Sequence, residues 1–380
     1  MKGAALDVLH VTSAHSVRDT RIFVKQARSL SRQYRVGVLG PGQIDEVVEE
    51  HGISLHMIAR PSGRFDRFTK FGQALYARIR QLSPQLVHLH DPDLLMLLPR
   101  LQRAGIRVIY DAHEDFSLAP LSRDWLGPRW VRRGVAGCFD HIERRLATRA
   151  DGIVVADRQL QARFPGASVL RNFLVTEEWP DVGPRPKDRA IRCIYVGDIT
   201  RARGVFRMCD AVEAGRAHGV ALTLDLVGPI TPILRAELEH HPARPHVTFH
   251  GPLSRRDVAS HLAGAHVALC LPEPLPAYRT SLPVKLLEYL AMKLPVVVTD
   301  TARLRQEVSL APGLMRVPWS AQPALLAGAI REAKKLPMQD RVYLRNHVLQ
   351  KFSWAEEEKQ LLALYSKVLA VSEPIGALAA

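Results

Sequence analysis

The sequence predicts an α/β protein built from two doubly wound domains, and three observations lead to this prediction. Short β-branched runs alternate with longer segments of helical periodicity along the whole chain, which is typical of a parallel sheet with crossover helices. The length of 380 residues exceeds what one hydrophobic core usually organises. A segment rich in proline and charge, residues 172–190, separates two such series and is typical of an interdomain linker.

The two series define two Rossmann-like domains. The first contains candidate strands at residues 7–11, 36–39, 54–58, 86–90, 108–111 and 153–156. Between them, apolar residues such as Phe71, Leu75 and Ile79 recur at helical spacing. The second contains candidate strands at residues 193–196, 222–227, 247–250, 267–271 and 296–299. We expect one domain over residues 1–172 and another over residues 191–350.

Composition limits the class of partner. No apolar run reaches the roughly 18–20 residues of a membrane-spanning helix, and the N-terminus resembles a first strand rather than a signal peptide, so we expect a cytoplasmic protein. The four cysteines lack CxxC spacing, which argues against a disulfide framework and a zinc site and indicates reduced, buried thiols. The net charge of +14 predicts an anionic partner: nucleic acid, acidic lipid or a phosphorylated substrate.

Polar residues follow several predicted strands, at the edge where open α/β sheets bind ligands. They comprise Ser13 and His15, residues 88–91, residues 111–114, residues 197–204 and the stretch before Glu288. In the segment from Gly197 to Gly204, two arginines and free backbone N–H groups enter a helix, which favours a diphosphate cradle; a surface loop is the alternative. No GxGxxG fingerprint is present, which disfavours a nicotinamide dehydrogenase.

The segment SLPVKLLEYLAMKLPVVVTD predicts a turn, a helix over residues 284–292 and a buried strand. Pro283 suits the first helical turn. Glu288 is acidic within an otherwise apolar helix, so it either faces solvent or lies in a site. A carboxylate that accepts hydrogen bonds from a ribose diol would explain it.

Two histidine-containing strand ends are candidates for chemistry. His88 and His90 lie on one face of a strand that ends beside Asp91, but no downstream histidine cluster completes a metal site, so we expect no metal. These histidines should line or buttress a ligand site. His113 is the better candidate for contacting a sugar hydroxyl or a developing charge; a structural histidine is the alternative.

Residues 123–149 carry seven arginines against three acidic residues, with Trp125 and Trp130 nearby. This pattern fits an interfacial helix that docks on anionic lipid, and equally a solvated helix face of a basic protein. No recognised basic module or aromatic platform indicates nucleic-acid binding.

Taken together, these segments resemble glycosyltransferase family 4, the retaining enzymes of the GT-B fold, in its bacterial polysaccharide and natural-product branch. The resemblance covers nearly the whole chain and rests on the order and spacing of its motifs. They are HVTSAHSVRDTRIFVKQARSLSR, HLHDPDLL, VIYDAHED, YVGDITRARG, VTFHGPLSRRDV, LPVKLLEYLAMKLPVVVTD and FSWAEEEKQLLALYSKVL. It implies a central cleft between the domains and a final helix, residues 354–372, that crosses back to pack on the N-terminal domain.

The resemblance also implies which residues form each subsite. Glu288 would hold the donor ribose, Arg203 the diphosphate, and the turn at Gly251 and Leu253 the base. We accordingly predict catalytic roles for His113, Arg203 and Lys285. The full predicted donor set is Gly197, Thr200, Arg201, Arg203, Gly204, Gly251, Leu253, Thr280, Ser281, Val284, Lys285 and Glu288. The predicted acceptor set is Ser13, His15, Asp19, Arg21, His88 and Asp91.

Two departures from the family pattern bear on the donor site. Many members carry a glutamate eight residues before the ribose-binding one, where this chain has Thr280, followed by Ser281. Many also carry an arginine where this chain has Asp198. We hypothesise that Thr280 or Ser281 replaces the missing carboxylate, and that Arg201, Arg203 and Lys285 neutralise the phosphates.

The sequence therefore predicts transfer of a hexosyl or N-acetylhexosaminyl group from a UDP- or GDP-sugar to an acceptor hydroxyl, with retention and without an essential metal or further cofactor. The acceptor could be a glycan, a lipid-linked molecule or a small molecule, and peripheral contact with an anionic membrane is a further expectation. A noncatalytic sugar-nucleotide-binding protein and a nucleotide-sugar epimerase of the same fold are the alternatives.

Overall fold

The structure is a computed structural model, and it describes residues 6–60, 70–113, 115–116, 120–121, 123–183, 188–275, 278–279, 282–308 and 314–370. The chain divides into two compact units. Unit 1 comprises Met1–Asn172 together with Trp354–Ala380, and unit 2 comprises Phe173–Ser353.

Unit 1 is organised around an eight-stranded sheet. Its strands are β1 (Val8–Val11), β2 (Val36–Gly42), β3 (Glu46–Glu50), β4 (Ile53–Ala59), β5 (Leu86–Leu89), β6 (Arg107–Ala112), β7 (Gly152–Val155) and β8 (Ser168–Val169). The order is β3-β4-β2-β1-β5-β6-β7-β8, and all pairs are parallel except β3 with β4. The strand order reverses between β1 and β5, and ligands bind at such switch points.

Helices of unit 1 begin after the sheet's strands, as crossover connections require. The π-helical segment Thr20–Ala27 continues into α1 (Arg28–Leu30), followed by α2 (Gly72–Leu82), α3 (Leu98–Arg103), α4 (Arg129–Ala147) and α5 (Arg158–Arg163). Short 3₁₀ segments cover Pro92–Leu97 and Asp124–Leu126. The final helix of the chain, at Trp354–Ala370, belongs to the same unit: Trp354 Nε1 donates to Ser29 Oγ at 2.9 Å, and Arg171 pairs with Glu357.

Unit 2 contains a six-stranded, wholly parallel sheet. Its strands are β9 (Ile191–Val196), β10 (Leu222–Val227), β11 (Val247–Gly251), β12 (Val267–Cys270), β13 (Val296–Thr299) and β14 (Leu314–Val317), in the order β11-β10-β9-β12-β13-β14. This is the order of a dinucleotide-binding Rossmann sheet, with its switch point between β9 and β12. Strands β12 and β13 are buried at every position, because helices cover both faces of a parallel sheet.

The helices of unit 2 follow the same alternation. They are α6 (Val205–Ala217), α7 (Pro232–Glu239), α8 (Arg255–Gly264), α9 (Val284–Ala291), α10 (Ala302–Glu307), α11 (Pro323–Lys334) and α12 (Met338–Lys351). The last helix in chain order, which belongs to unit 1, is labelled α13 (Trp354–Ala370). Two 3₁₀ segments lie at Thr176–Glu178 and Arg244–His246. The predicted pair of doubly wound α/β domains is thus confirmed.

Three features differ from the sequence predictions. Strands β3, β8 and β14 were not expected, since β3 is largely charged and β8 has two residues. The segment predicted as a linker is not exposed throughout: Phe173, Leu174 and Trp179 are buried in the core of unit 2, and Leu174 N donates to Phe352 O at 2.8 Å. The buried-thiol prediction holds for Cys193, Cys209 and Cys270 but is wrong for Cys138, which lies on an exposed face of α4.

None of the described helices combines the length and the apolar character that crossing a membrane requires.

Candidate functional site

The loop after β9 is held in a conformation that depends on glycine. Gly197 has a φ of +126° and Gly204, immediately before α6, has a φ of +81°. A Cβ on Gly204 would stand 1.7 Å from the carbonyl oxygen of Leu271, so no larger residue fits there. Thr200 Oγ1 accepts a hydrogen bond from Arg203 N at 3.1 Å, which tightens the turn that enters α6.

Two cations converge on Gly197: Arg203 from the loop itself and Lys285 from α9. A Cβ on Gly197 would lie 2.7 Å from Lys285 Nζ and 3.5 Å from Arg203 Nη1, so both side chains face the same glycine. Lys285 Nζ donates to Tyr195 Oη at 2.7 Å, and Arg203 pairs with Asp198 at 3.4 Å. Burial, together with the charge of Arg203, lowers the pKa of Lys285 to about 8. The loop therefore presents a cationic pocket with one ammonium that loses its charge as the pH rises through about 8.

Helix α9 begins beside this pocket. Its N-terminus at Val284 follows Pro283, which makes no side-chain cap hydrogen bond; Leu286 N donates to Pro283 O at 3.0 Å, and the positive end of the helix dipole lies beside the two cations. Lys285 lies in that first turn. The arrangement joins a helix N-terminus to two basic side chains, which is the chemistry of a phosphate site.

Glu288 lies one turn further along α9, with 17% of its side chain exposed. Arg255 Nη2 is 3.7 Å from Glu288 Oε1 and 2.7 Å from Glu178 Oε2. Glu288 is therefore neither a fully solvated helix residue nor a buried one. Arg255 and Glu178 were not among the sequence-predicted residues, because they come from α8 and from the segment before β9 and meet Glu288 only in the fold.

The remaining predicted donor residues divide into three groups. Gly251 has a φ of +69° and accepts a hydrogen bond from Gly228 N at 2.8 Å at the end of β11, and Leu253 follows in the next turn. Arg201 points elsewhere: it pairs with Glu237 and its guanidinium lies 4.5 Å from the centroid of the Phe206 ring. Thr280 and Ser281 lie outside the described residues, so the hypothesis about the missing carboxylate stays a prediction.

The switch point of unit 1 is centred on a buried carboxylate, Asp111, at the end of β6. Arg21 donates to both its oxygens at 2.8 Å, and Gln26 Nε2 donates to Oδ2 at 2.8 Å. Burial alone would raise the pKa of Asp111, but the charge of Arg21 and hydrogen bonds from His90 and Arg21 hold this pKa well below its usual value. Asp111 is therefore an ionised group that fixes the segment containing Arg21 against the sheet.

Three buried histidines lie next to this carboxylate. His10 Nδ1 and His90 Nε2 are 2.9 Å apart, and His88 Nδ1 is 2.6 Å from Tyr365 Oη on α13. Burial lowers the pKa of His10 and of His88 well below the usual value, so both rings are neutral. His10 pairs with His88 in the parallel register of β1 and β5, a neighbour relation that a sequence without known strand pairing does not reveal.

A second polar group lies at the same switch point, where Asp91 and Ser13 are buried and His15 is partly exposed. His113 Nε2 is 3.3 Å from His15 Nε2, and Asp91 Oδ2 accepts from Ser13 N at 2.8 Å and from Thr12 Oγ1 at 2.7 Å. His15 Nε2 lies 3.7 Å from the Asp91 carboxylate. Burial lowers the pKa of His113, which favours its neutral ring as a hydrogen-bonding partner. The structure thus gathers Ser13, His15, Asp91 and His113.

The other three predicted acceptor residues act within the fold in this conformation. Asp19 caps the π-helical segment, accepting from Arg21 N at 2.7 Å and Ile22 N at 3.1 Å. Arg21 is buried against Asp111, and His88 is fully buried against Tyr365. An acceptor contact by any of them would have to replace these bonds.

Possible metal ligands also cluster here. Among the described residues, His10, His88 and His90 form one group of potential ligands, and His90, Asp111 and His113 form another. Asp111 in the second group is already engaged by Arg21, a cation that opposes a second positive charge. The expectation of a metal-free enzyme stays a prediction.

Comparisons with known proteins place this geometry in a class. The model of the family described as Glycosyltransferase Family 4 matches residues 20–166, and the model described as Glycosyl transferases group 1 matches residues 190–333. The curated proteins include no significant sequence match. Because the two family models match one segment in each Rossmann-like unit, the chain is a GT-B glycosyltransferase. It belongs to glycosyltransferase family 4.

Solved structures agree with this fold. Sucrose-phosphate synthase from Thermosynechococcus elongatus is 17% identical with a TM-score of 0.74, covering 96% of this chain and 99% of that one. Anabaena HepE in complex with UDP and glucose is 13% identical with a TM-score of 0.69, covering 95% and 99%. The catalytic domain of starch synthase IV from Arabidopsis thaliana, bound to ADP and acarbose, is 12% identical with a TM-score of 0.64, covering 97% and 100%.

Proposed function

We propose that unit 2 binds a UDP- or GDP-sugar and that the enzyme transfers its hexosyl or N-acetylhexosaminyl group to an acceptor hydroxyl, with retention of configuration. The observation that carries this proposal is the convergence of Lys285 and Arg203 on Gly197, beside the N-terminus of α9. Glycosyl transfer from a nucleotide sugar leaves a nucleoside diphosphate, whose negative charge grows in the transition state. Fixed cations and a helix N-terminus stabilise such charge without reorganisation.

The donor class is supported by the ligands named for similar structures. Anabaena HepE was solved with UDP and glucose and with UDP-glucose, and starch synthase IV with ADP and acarbose. In this chain we assign the ribose diol to Glu288, because a carboxylate accepts two hydrogen bonds from adjacent hydroxyls. The base would lie against Gly251 and Leu253. A sugar hydroxyl would meet Thr280 or Ser281.

The acceptor is assigned to unit 1. Ser13, His15 and Asp91 supply a hydroxyl, an imidazole and a carboxylate at its switch point, where His15 is the most exposed of the three, a combination that can orient a hydroxyl nucleophile. His113 would contact the donor sugar or the charge that develops on it. The acceptor itself would be a glycan, a lipid-linked molecule or a small molecule.

No metal is required in this proposal, since two cationic side chains do the work that a divalent ion does in metal-dependent transferases. Lewis-acid catalysis and protein cations act on the same phosphate oxygens. The expected consequence is turnover that survives a chelator.

The test is a screen of UDP-, GDP-, ADP- and dTDP-sugars by thermal shift and by nucleotide release, with and without EDTA. The anomeric configuration of the product, read by NMR, decides between retention and inversion. Arg203→Ala should reduce turnover at least about tenfold, since removing one donor of transition-state charge stabilisation costs this much or more.

The matched control is Arg331→Ala. It removes an exposed arginine of the same unit that lies on α11 and is not part of the predicted donor site. It should leave turnover unchanged. Near wild-type turnover by the Arg203 variant would remove Arg203 from the phosphate site. Nucleotide binding without any transfer across the screen would instead favour a noncatalytic binding protein.

A further inference from the structure

Unit 1 carries an exposed surface that the proposed transfer reaction does not use. Among the described residues, thirteen large apolar side chains are exposed, and five of them fall between positions 121 and 142. Exposed apolar side chains are therefore concentrated in this segment. Trp130 is 76% exposed and Trp125 is 66% exposed. We call this the basic aromatic surface: Leu121, Arg123, Trp125, Arg129, Trp130, Arg133, Val135, Ile142, Arg144 and Arg145.

The parts of this surface are held together by hydrogen bonds. Arg132 Nη1 donates to Leu121 O at 3.1 Å, which ties the segment before α4 to the first turns of that helix. Leu126 N donates to Arg123 O at 3.1 Å within the intervening turn. The apolar side chains before α4 and those on α4 therefore belong to one continuous surface.

Charges are segregated across α4. Its acidic residues face inward: Glu143 is buried, accepts from Tyr110 Oη at 2.7 Å and pairs with Arg163 at 2.9 Å, and Asp140 also pairs with Arg163. Arg129, Arg133, Arg144 and Arg145 are exposed; Arg144 lies 3.7 Å from Asp140, and within the described residues Arg129, Arg133 and Arg145 form no ion pair. The outer face thus keeps its positive charge.

The exposed face of α4 contains two glycines, which leave its backbone uncovered by side chains. With 3.6 residues per turn, Trp130, Gly134, Gly137, His141 and Arg145 lie along one side of the helix. A Cβ on Gly134 or Gly137 would have no atom within 4 Å. The helix backbone can therefore approach a flat partner closely, with Trp130 at one end of the strip and Arg145 at the other.

We propose that the basic aromatic surface docks on an anionic lipid bilayer. Tryptophan rings favour the headgroup region, where the indole is half in an apolar and half in an aqueous environment, and arginines pair with lipid phosphates. Val135 and Ile142, which are exposed on the same helix, add apolar area to this contact. Aliphatic side chains of this kind gain nothing from a phosphodiester backbone, which favours lipid over nucleic acid. This inference does not depend on the identity of the donor.

The experiment is co-sedimentation of the full chain with phosphatidylcholine vesicles, with and without phosphatidylglycerol. We expect binding to the anionic vesicles only, weakened by added salt. The double variant Arg133→Gln and Arg145→Gln should weaken binding about 25-fold, because each basic residue near an anionic surface contributes about a fivefold factor. Brominated lipid should quench tryptophan fluorescence in the wild type, and Trp130→Ser should reduce that quenching.

The control removes the same charge elsewhere. Arg189→Gln with Arg331→Gln takes two exposed arginines from unit 2 and should change binding less than about twofold. All three variants alter exposed side chains, and unchanged melting temperatures will show that they fold. Equal losses in the two double variants, or stronger binding to single-stranded nucleic acid than to anionic vesicles, would overturn the proposal.

Discussion

Lys285 is mostly charged at neutral pH, yet it lies in a half-buried position whose environment lowers its pKa to about 8. The pKa in the folded protein lies below the usual lysine value of about 10.5, so the folded protein releases this proton before the unfolded chain does as the pH rises. Between about pH 8 and pH 10.5 the unfolded state binds more protons, and the free energy of unfolding therefore rises with pH in that window. The same deprotonation removes a cation from the proposed diphosphate site.

We therefore predict that the affinity for UDP falls about tenfold between pH 7 and about pH 9, since a group with a pKa near 8 is about nine-tenths deprotonated at the higher value. Isothermal titration calorimetry at the two pH values measures this. Lys285→Arg should bind with a flatter pH profile, because a guanidinium stays charged over this range. An identical profile for both proteins would show that Lys285 does not meet the nucleotide.

Asp198 partly offsets this cationic pocket. Its side chain is 59% exposed and lies 3.4 Å from Arg203. Many family members carry an arginine at the position of Asp198. An exposed pair of this kind contributes little to stability, but it orients Arg203 in the absence of donor. The presence of Asp198 instead of arginine was visible in the sequence. The structure shows that Arg203 is the cation that pairs with it.

At the scale of elements, helix α6 is joined to the sheet by a contact that only glycine allows. Gly204 combines a positive φ of +81° with a hypothetical Cβ position 1.7 Å from Leu271 O at the end of β12. Backbone atoms cannot rotate away as a flexible side chain can. Gly204→Ala should therefore separate α6 from β12 and lower the melting temperature by several degrees more than conformational strain alone.

Gly219→Ala supplies the matched comparison. Gly219 has a similar φ of +75°, but no atom lies within 4 Å of its hypothetical Cβ. It should cost about 1–2 kcal/mol from the left-handed backbone conformation alone. Thermal denaturation of both variants separates strain from steric exclusion, and equal losses would contradict the close approach of Gly204 to Leu271.

The buried central strands were predictable because both faces of a parallel sheet are covered, which leaves continuous apolar runs such as Val296–Thr299. Strand β3 was not, because Glu46–Glu50 is largely charged and exposed at the sheet edge. Its strand identity comes from antiparallel pairing with β4, as between Val48 and Leu55. Edge strands are often charged in this way, which opposes aggregation.

At the scale of the whole molecule, the two units differ in how they are encoded. Unit 2 is one continuous stretch, Phe173–Ser353, whereas unit 1 needs the distant helix α13. Trp354, Leu361, Tyr365 and Val368 of that helix are buried. Removing α13 would expose this apolar surface and leave His88 without its bond to Tyr365.

We predict that a fragment of residues 173–353 folds alone, melts cooperatively and binds UDP, while residues 1–172 without α13 do not melt cooperatively. Circular dichroism during thermal denaturation and calorimetry with UDP measure these outcomes. The full chain serves as the reference for both fragments. Cooperative melting of residues 1–172 would show that α13 is dispensable for the core of unit 1.

The sequence by itself determined the fold class, the order of most strands along the chain, the start of α13 and the family, because periodicity and motif spacing are local properties. It also placed Lys285, Arg203 and Glu288 near loops or helix starts that suit a nucleotide sugar. These assignments follow from residues that are close together in the chain.

Only the tertiary structure decided which side chains meet. Three contacts join residues that are 33 to 277 positions apart in the sequence. They pair Asp111 with Arg21, His88 with Tyr365, and Glu288 with Arg255. It also turned Arg201 toward Glu237 and buried Phe173 and Trp179. Such contacts depend on strand order and on the packing of helices across a sheet, and neither is fixed by the pattern of any one segment.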